Sequence, residues 1–447
     1  MFADIEFHMS IPNTITKALS RLFGFDPSST DITTEIFAGL TSFLTMSYIL
    51  AVNPSLFSNL EGMPKGSVFT ATASVAIIST LLMAFLAKKP FGIAPGMGPN
   101  AFFVFTICLG TGHSWQFALT AILIEGIILL LLTVSNLRES IVNAIPAVIK
   151  QSISIGIGLF ITFVGMQNAG LIINDESTLV KIGNITEGSG LLALIGLVIT
   201  SVLVIKNIKG GMLIGILLTT LIGIPMHITQ YQGILSPPES ISPIFCQFEF
   251  DRILSTDMLV TVISFLFIDL FSLTGSAIGV CMKGGFTDSN GNIPGIRRMF
   301  MADSIGTISS GLFGTSAACT FIESSSGVAQ GGRSGLTAFT IAIFFAIALF
   351  FSPLFLAIPN AATAPVLIIV GLMMASSIKD IPFDDFSEAI PAYITIMTMP
   401  LTYSIADGIL LGIISYVLLN LICGKLNKLS PGMYILAVLF ILKYIFL

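Results

Sequence analysis

The sequence predicts an all-α polytopic membrane protein made of two inverted halves, and three observations carry that prediction. The chain of 447 residues is 54% hydrophobic and only 10% charged, with a mean hydropathy of +0.97, where soluble domains carry about 25% charged residues. Apolar runs near the spanning length of about 20 residues recur from Thr34 to Leu447 and leave no polar stretch long enough for a soluble domain. A broken, glycine-rich segment occurs once in each half.

The first 33 residues carry Asp, Glu and Pro and lack the basic start and short apolar core of a signal peptide, so 1–33 reads as a cytoplasmic lead-in. Spans are expected near 35–53, 67–87, 114–134, 147–172, 190–206 and 211–228, then near 256–281, 299–313, 333–351, 361–377, 386–424 and 431–447. The stretch 386–424 is too long for one straight crossing, and Tyr403 to Gly408 offer a break. The glycine-rich stretches 91–110 and 314–332 are too short or too interrupted to cross as simple helices. With the N-terminus inside and each broken stretch counted as one crossing, Lys17, Lys88, Arg138, Lys283, Arg297, Arg333 and Lys379 are among the cations on the cytoplasmic side. Only Lys65, Lys181 and Arg252 then fall outside, the asymmetry expected of a multi-pass protein in that orientation.

Set side by side, PFGIAPGMGPNAFF (90–103) and LFGTSAACTFIESS (312–325) share a Phe-Gly opening, a run of small residues and a later polar side chain, Asn100 or Glu323. A further helix in each half begins with a matching proline, AIPAVIKQSISIGIG (144–158) and TAPVLIIVGLMM (363–374), at an offset of about 220 residues. An odd number of crossings per repeat makes such halves inverted, and matching interrupted segments point to a transporter's midplane site. Extended backbone at that depth needs partners for its N–H and C=O groups. The two segments are therefore expected to meet as short strands, each followed by a half-helix.

A carboxylate at the bilayer centre costs about 2.5–3.5 kcal/mol on insertion scales, so each one asks for a partner or a task. Four stand in apolar runs: Glu125, Asp269, Asp303 and Glu323. Asp269 lies near Thr274, Gly275 and Ser276, a small polar face suited either to a cavity or to a buried interhelical hydrogen bond. Glu323 would open a half-helix, as an N-terminal cap or as a ligand-facing group. Asp303 sits on a small-residue face suited to close packing and to a structural or proton-coupling network. Glu125 has no polar company in sequence, and interior pairing is the expectation for it.

The net charge of −5 is spread over loops with no basic, aromatic-laced patch, which sets nucleic acid aside. The five cysteines form no CxxC and read as small buried hydrophobes, so no metal centre and no cofactor is expected. GIAPGMG follows no strand–helix pattern and GGRSG lacks a phosphate-binding lysine, while HExxH and GxSxG are absent, which argues against a nucleotidase or a hydrolase. Solute movement driven by an ion gradient fits better than enzymatic turnover.

Five stretches carry a resemblance: TEIFAGLTSFLTMSYILAVNP (34–54), FGIAPGMGPNAFF (91–103), NAIPAVIKQSISIGIGLFI (143–161), FGTSAACTFIESSSGVAQGGRSGLTA (313–338) and MPLTYSIADGI (399–409). Together they resemble the AzgA-like adenine, guanine and hypoxanthine permeases of the nucleobase cation symporter-2 superfamily, from about Thr34 to the C-terminus. The resemblance implies fourteen transmembrane segments in two inverted repeats of seven, with segments three and ten broken. It implies a core domain over 34–140 and 254–352 that holds substrate, and a gate domain over 141–253 and 353–447. It also implies import of purine nucleobases by proton symport through alternating access, in a cell membrane and with a cytoplasmic N-terminus. Related folds often pair, so a homodimer through the gate surfaces is a further expectation.

By that resemblance Asn100, Asp269 and Glu323 match family site positions and are expected to bind the base, with Asp303 in support. Their chemistry suits a purine, since a carboxylate accepts from adjacent ring and exocyclic N–H groups while an amide donates and accepts. Phe102 and Phe271 are candidates to stack on the ring. Departures from the family pattern stand at Pro99, at Ala317 to Cys319, and at Ser272, which replaces a common aspartate and bears on proton coupling or base preference. Uracil, xanthine or a small anion is the alternative cargo on the same fold.

Overall fold

The computed structural model describes residues 13–135, 137–138, 146–231, 233–273, 280–281, 284–286 and 293–446. Eight helices or helix pairs among them are long and apolar enough to span a bilayer, and shorter or interrupted elements lie between.

The first half begins with α1 (Asn13–Phe23), whose Phe23 packs 5.2 Å from the ring of Phe339 and so docks the lead-in on the helical body. Helices α2 (Ile32–Met46) and α3 (Ile49–Phe57) make one crossing, interrupted at Ser47 and Tyr48. Then come α4 (Lys65–Leu82), β1 (Ile93–Pro95) and α5 (Met97–Ala101), which widens into a π-type turn over Phe102–Gly110. Helices α6 (Trp115–Val134) and α7 (Ala147–Asn168), an exposed hairpin of β2 (Ile172–Asp175) and β3 (Leu179–Ile182), α8 (Gly188–Ile205) and α9 (Gly211–Gly223) complete it.

The second half repeats this order: α10 (Thr256–Leu273), α11 (Ile296–Phe313), the broken element β4 (Ala318–Thr320) with α12 (Ser324–Ala329), and α13 (Gly335–Ala348) running into α14 (Ser352–Leu356). After α15 (Asn360–Ala375), the run 386–424 divides at Tyr403 into α16 (Phe386–Thr402) and α17 (Ile405–Ile422). Tyr403 takes a left-handed conformation at φ 58°, which stops α16 at the break expected from sequence. Because that run supplies two helices, α18 (Pro431–Phe446) follows the second set of seven as an additional element.

The two broken elements meet as expected. β1 and β4 pair antiparallel in the register Ile93↔Thr320, Ala94↔Cys319 and Pro95↔Ala318. The ladder extends one bond at each end, from Gly96 N–H to Ala317 O and from Phe321 N–H to Gly92 O, both at 3.0 Å. A two-stranded ribbon still has two bare edges, and lipid offers them no partner. Helix hydroxyls cover them: Thr80 Oγ1 of α4 both accepts from Ile93 N–H and donates to Ile93 O, each at 3.0 Å. In the other half Thr307 Oγ1 of α11 donates to Ala318 O at 3.2 Å.

Helices α3, α4, α10 and α11 pack on this ribbon, with α13 against α4 and α2 and with α6 against α11 and α10, while α7, α8, α9, α15, α16 and α17 pack mainly among themselves. The crossing of α7 with α15 is close because Gly158 and Gly371 face each other; a Cβ on Gly158 would lie 2.5 Å from Gly371 O.

Candidate functional site

Where the ribbon faces α7 and α15, the protein holds a cavity of about 410 Å³, within the size range of small-molecule sites. One wall is built from the broken elements and includes Gly98, Phe321 and Glu323; the other presents Lys150, Gln151 and Ser154 of α7 and Met374 of α15. Lys150 near the start of α7 and Ser376 just past the end of α15 line it, so the cavity lies toward those two helix ends.

Glu323 stands at the start of α12, yet its side chain makes no capping bond there. It instead accepts the phenolic hydrogen of Tyr48 on Oε1 at 2.7 Å. The interruption between α2 and α3 is what turns Tyr48, 1% exposed, toward it. Ser326 Oγ donates to the Glu323 carbonyl at 2.7 Å and lies 2.9 Å from Thr45 Oγ1 of α2, which also donates to the Glu323 carbonyl at 3.4 Å, so Thr45 holds the start of α12 to α2.

Asn100 does not border this cavity. It lies on α5 with no exposed surface, its Oδ1 accepts from Ser316 Oγ, and its Nδ2 has no partner among the described residues. One turn further on, Phe102 and Thr106 line a second cavity of about 300 Å³, with Thr261 and Ser264 of α10. Phe102 packs edge-on against Phe265 with ring centres 4.7 Å apart. Along a single broken segment, then, Gly98 faces one cavity, Phe102 faces the other, and Asn100 is sealed between.

Asp269 and Asp303 are also without exposed surface. Asp303 receives Arg138 Nη2 at 2.9 Å, and Asp269 Oδ2 lies 3.9 Å from the same nitrogen. The surroundings of Arg138 and Glu125 were not readable along the chain. Arg138 is not a loop cation in water: it is 1% exposed and folds back under α11, bonding Ser304 Oγ at 3.1 Å and Phe300 O at 3.3 Å. Nor does Glu125 lack polar company, because helix packing brings it into electrostatic contact with Asp269, Asp303 and Arg138. The side chains of Phe271 and Ser272 lie outside the described residues, as do residues 274–279.

Sequence reasoning missed Tyr48 and Arg138 as partners. Tyr48 carries a weak signal, an aromatic ring with a polar tip inside an otherwise apolar run. For Arg138 there was none: a cation just after an apolar run satisfies the charge-asymmetry rule whether it points into water or into the protein.

The profile described as "Permease family" matches residues 33–411. A putative permease of Methanocaldococcus jannaschii is 43% identical over 97% of this chain and 99% of its own. The adenine permease AdeP of Escherichia coli is 39% identical over 96% of both chains. The guanine/hypoxanthine permease PbuG of Bacillus subtilis is 41% identical over 96% of this chain and all of its own. Among solved structures, the transmembrane domain of the cyanobacterial bicarbonate transporter BicA superposes with a TM-score of 0.62 over 85% of this chain and 97% of its own, at 16% identity. SLC26A9 superposes with a TM-score of 0.63 over 91% of this chain and 69% of its own, at 13% identity. That likeness places the chain in the fold of two inverted seven-segment repeats.

Proposed function

The chain belongs to the permease family, and from that premise we propose that it imports purine nucleobases across the cell membrane by proton symport through alternating access. It is a multi-pass membrane transporter and not an enzyme. The observation that carries the purine reading is the Glu323–Tyr48 pair on the cavity wall. A carboxylate oriented by a neutral donor presents acceptors to the adjacent ring and exocyclic N–H groups of a purine edge. The substrates named for the adenine and guanine/hypoxanthine relatives, similar along nearly the whole chain, support the same cargo.

In this reading Glu323 meets the base first, and Asn100 and Asp269 join the site when the wall between the two cavities rearranges. Asp303 and Ser272 support coupling, and Phe102 or Phe271 stacks on the ring. The core, over 34–140 and 254–352, moves against the gate, over 141–253 and 353–447. The tendency of the helices to pack within these two groups supports that division. Lipid surrounds both, the N-terminus is cytoplasmic, and the gate surface is where a second copy would pair. Linkage requires that the proton tighten purine binding by the same factor by which the purine tightens proton binding.

The test is uptake of labelled hypoxanthine, guanine and adenine by cells lacking their own purine permeases, with and without a protonophore, for wild type and Glu323→Gln. Saturable uptake that collapses with the protonophore and with the substitution supports the reading. Well-expressed protein that moves none of the three bases removes the purine assignment. Protonophore-insensitive uptake removes the symport.

A further inference from the structure

Three carboxyl groups from three helices converge on one guanidinium in the interior. Asp303 of α11 binds Arg138 at 2.9 Å, Asp269 of α10 approaches it at 3.9 Å, and Glu125 of α6 interacts with all three. The three acids have no exposed surface. Arg138 is further held by Ser304 Oγ and by the face of the Phe300 ring, 4.7 Å from its guanidinium carbon. None of the four residues lines either cavity.

The hydrogen bonds do not balance. Both carboxyl oxygens of Glu125 and both of Asp269 lack a partner among the described residues, as do Asp303 Oδ1 and Arg138 Nε. One guanidinium offsets one carboxylate, and here it is engaged by Asp303. A second and third bare carboxylate in a dry interior would each need a cation, several N–H donors or a proton. The donors at hand serve other groups or stand alone, the Thr320 N–H bonding Asp303 and Arg138 Nε having no partner, so Glu125 and Asp269 stay bare among the described residues, and no trio of carboxylates there is placed to hold a metal ion. The remaining titratable group near the cluster is Cys319 of β4, which faces Asp269 and Asp303; the π-type turn packed on α6 brings no charge. The missing ligand is therefore a proton.

We propose that this sealed cluster is the proton store of the transport cycle, with Glu125 taking and releasing the coupling proton and Arg138 positioning Asp303 and Asp269 around it. The inference rests on the symport reading above. The step is an O–H bond formed on a Glu125 carboxylate oxygen with a proton from water on one side, and the same bond broken to water on the other. One positive charge is moved and no other bond changes. Helix α11 ties the cluster to the cavity wall, since it carries Asp303 and its Thr307 donates to Ala318 O in the strand leading to Glu323.

The experiment uses the full chain in proteoliposomes with two readouts, counterflow of labelled hypoxanthine and purine-driven proton entry followed by an internal pH dye. Glu125→Gln and Glu125→Leu are both made, since Leu leaves no buried polar group to satisfy. The expected result is counterflow within about twofold of wild type with proton entry abolished. Proton entry retained by either variant overturns the proposal, and so does loss of counterflow in both. Arg138→Lys is expected to keep coupling with a displaced pH profile; an undisplaced profile would make the arginine merely structural. If wild type itself moves purine with no proton entry, the symport reading fails first, and that outcome is seen without any variant.

Discussion

Tyr48 donates its phenolic hydrogen to Oε1 of Glu323 at 2.7 Å, across 275 residues of sequence. The bond fixes one oxygen of a carboxylate that borders the main cavity, so the tyrosine orients the acidic group without itself needing charge. A hydrogen bond to a charged group contributes about 1.5–3 kcal/mol, roughly ten- to a hundredfold in affinity. Tyr48→Phe should raise the KM for purine uptake by about tenfold or more at unchanged surface expression; an unaltered KM would detach the pair from substrate binding.

Glu35 of α2 has no exposed surface and accepts from the backbone N–H groups of Arg333, Ser334 and Thr337 at 2.9, 3.1 and 3.0 Å, and from Thr337 Oγ1 at 2.5 Å. It serves the free N–H groups at the start of α13 from another helix. Glu35→Ala should cost about 1–3 kcal/mol for each donor left unmatched, and Glu35→Gln less, because an amide oxygen still accepts. Melting of the detergent-purified protein should rank wild type above Gln above Ala.

The crossing of α7 and α15 leaves no room for a methyl group. A Cβ on Gly371 would stand 2.1 Å from Thr162 Oγ1 and 2.4 Å from Gly158 O, and a backbone oxygen cannot swing aside. Gly371→Ala should lower stability by about 1–3 kcal/mol through overpacking. Gly432→Ala, whose nearest atom would be Ser430 Oγ at 3.8 Å, should melt like wild type.

Arg138→Met strands Asp303 without its cation, and removing one partner of a buried pair costs about 3–5 kcal/mol. The double variant Arg138→Met, Asp303→Leu removes both charges and should recover most of that loss in thermal melts while uptake stays absent. A double variant no more stable than the single would mean the pair is not the source of the cost.

At the far end of the chain Asp385 holds Lys425 and Lys428 at 2.9 and 3.0 Å in a loop outside the membrane-spanning segments. The Lys425 contact, then Ser387 and then Lys428, hold its carboxyl well below the ordinary carboxylate range. A group whose pKa is lowered by folding contributes stability above its unfolded value, about 3.9, and loses it as pH falls through the folded one. Melting temperature should therefore decline below about pH 4, and Asp385→Asn should flatten that part of the decline; an unchanged slope would assign it to other carboxylates.

The membrane class, the spans, the internal duplication and the pairing of two interrupted segments were all legible along the chain, because hydropathy, proline and glycine act over one element at a time. Phe-Gly openings at 91 and 313 announced strands that the structure pairs at 93–95 and 318–320. What the sequence could not disclose was which way a helix turns its polar residues. Glu125 had no polar neighbour in sequence and Arg138 counted only as a cytoplasmic-side cation; the packing of α6 on α11 joins them with Asp269 and Asp303. Asn100 and Glu323 hold matching places in the two repeats, but only Glu323 meets the main cavity, since α5 turns Gly98 toward it and keeps Asn100 behind. Periodicity in a chain records that a side chain is polar and buried; the rotation and crossing of helices a hundred or more residues apart decide whom it meets.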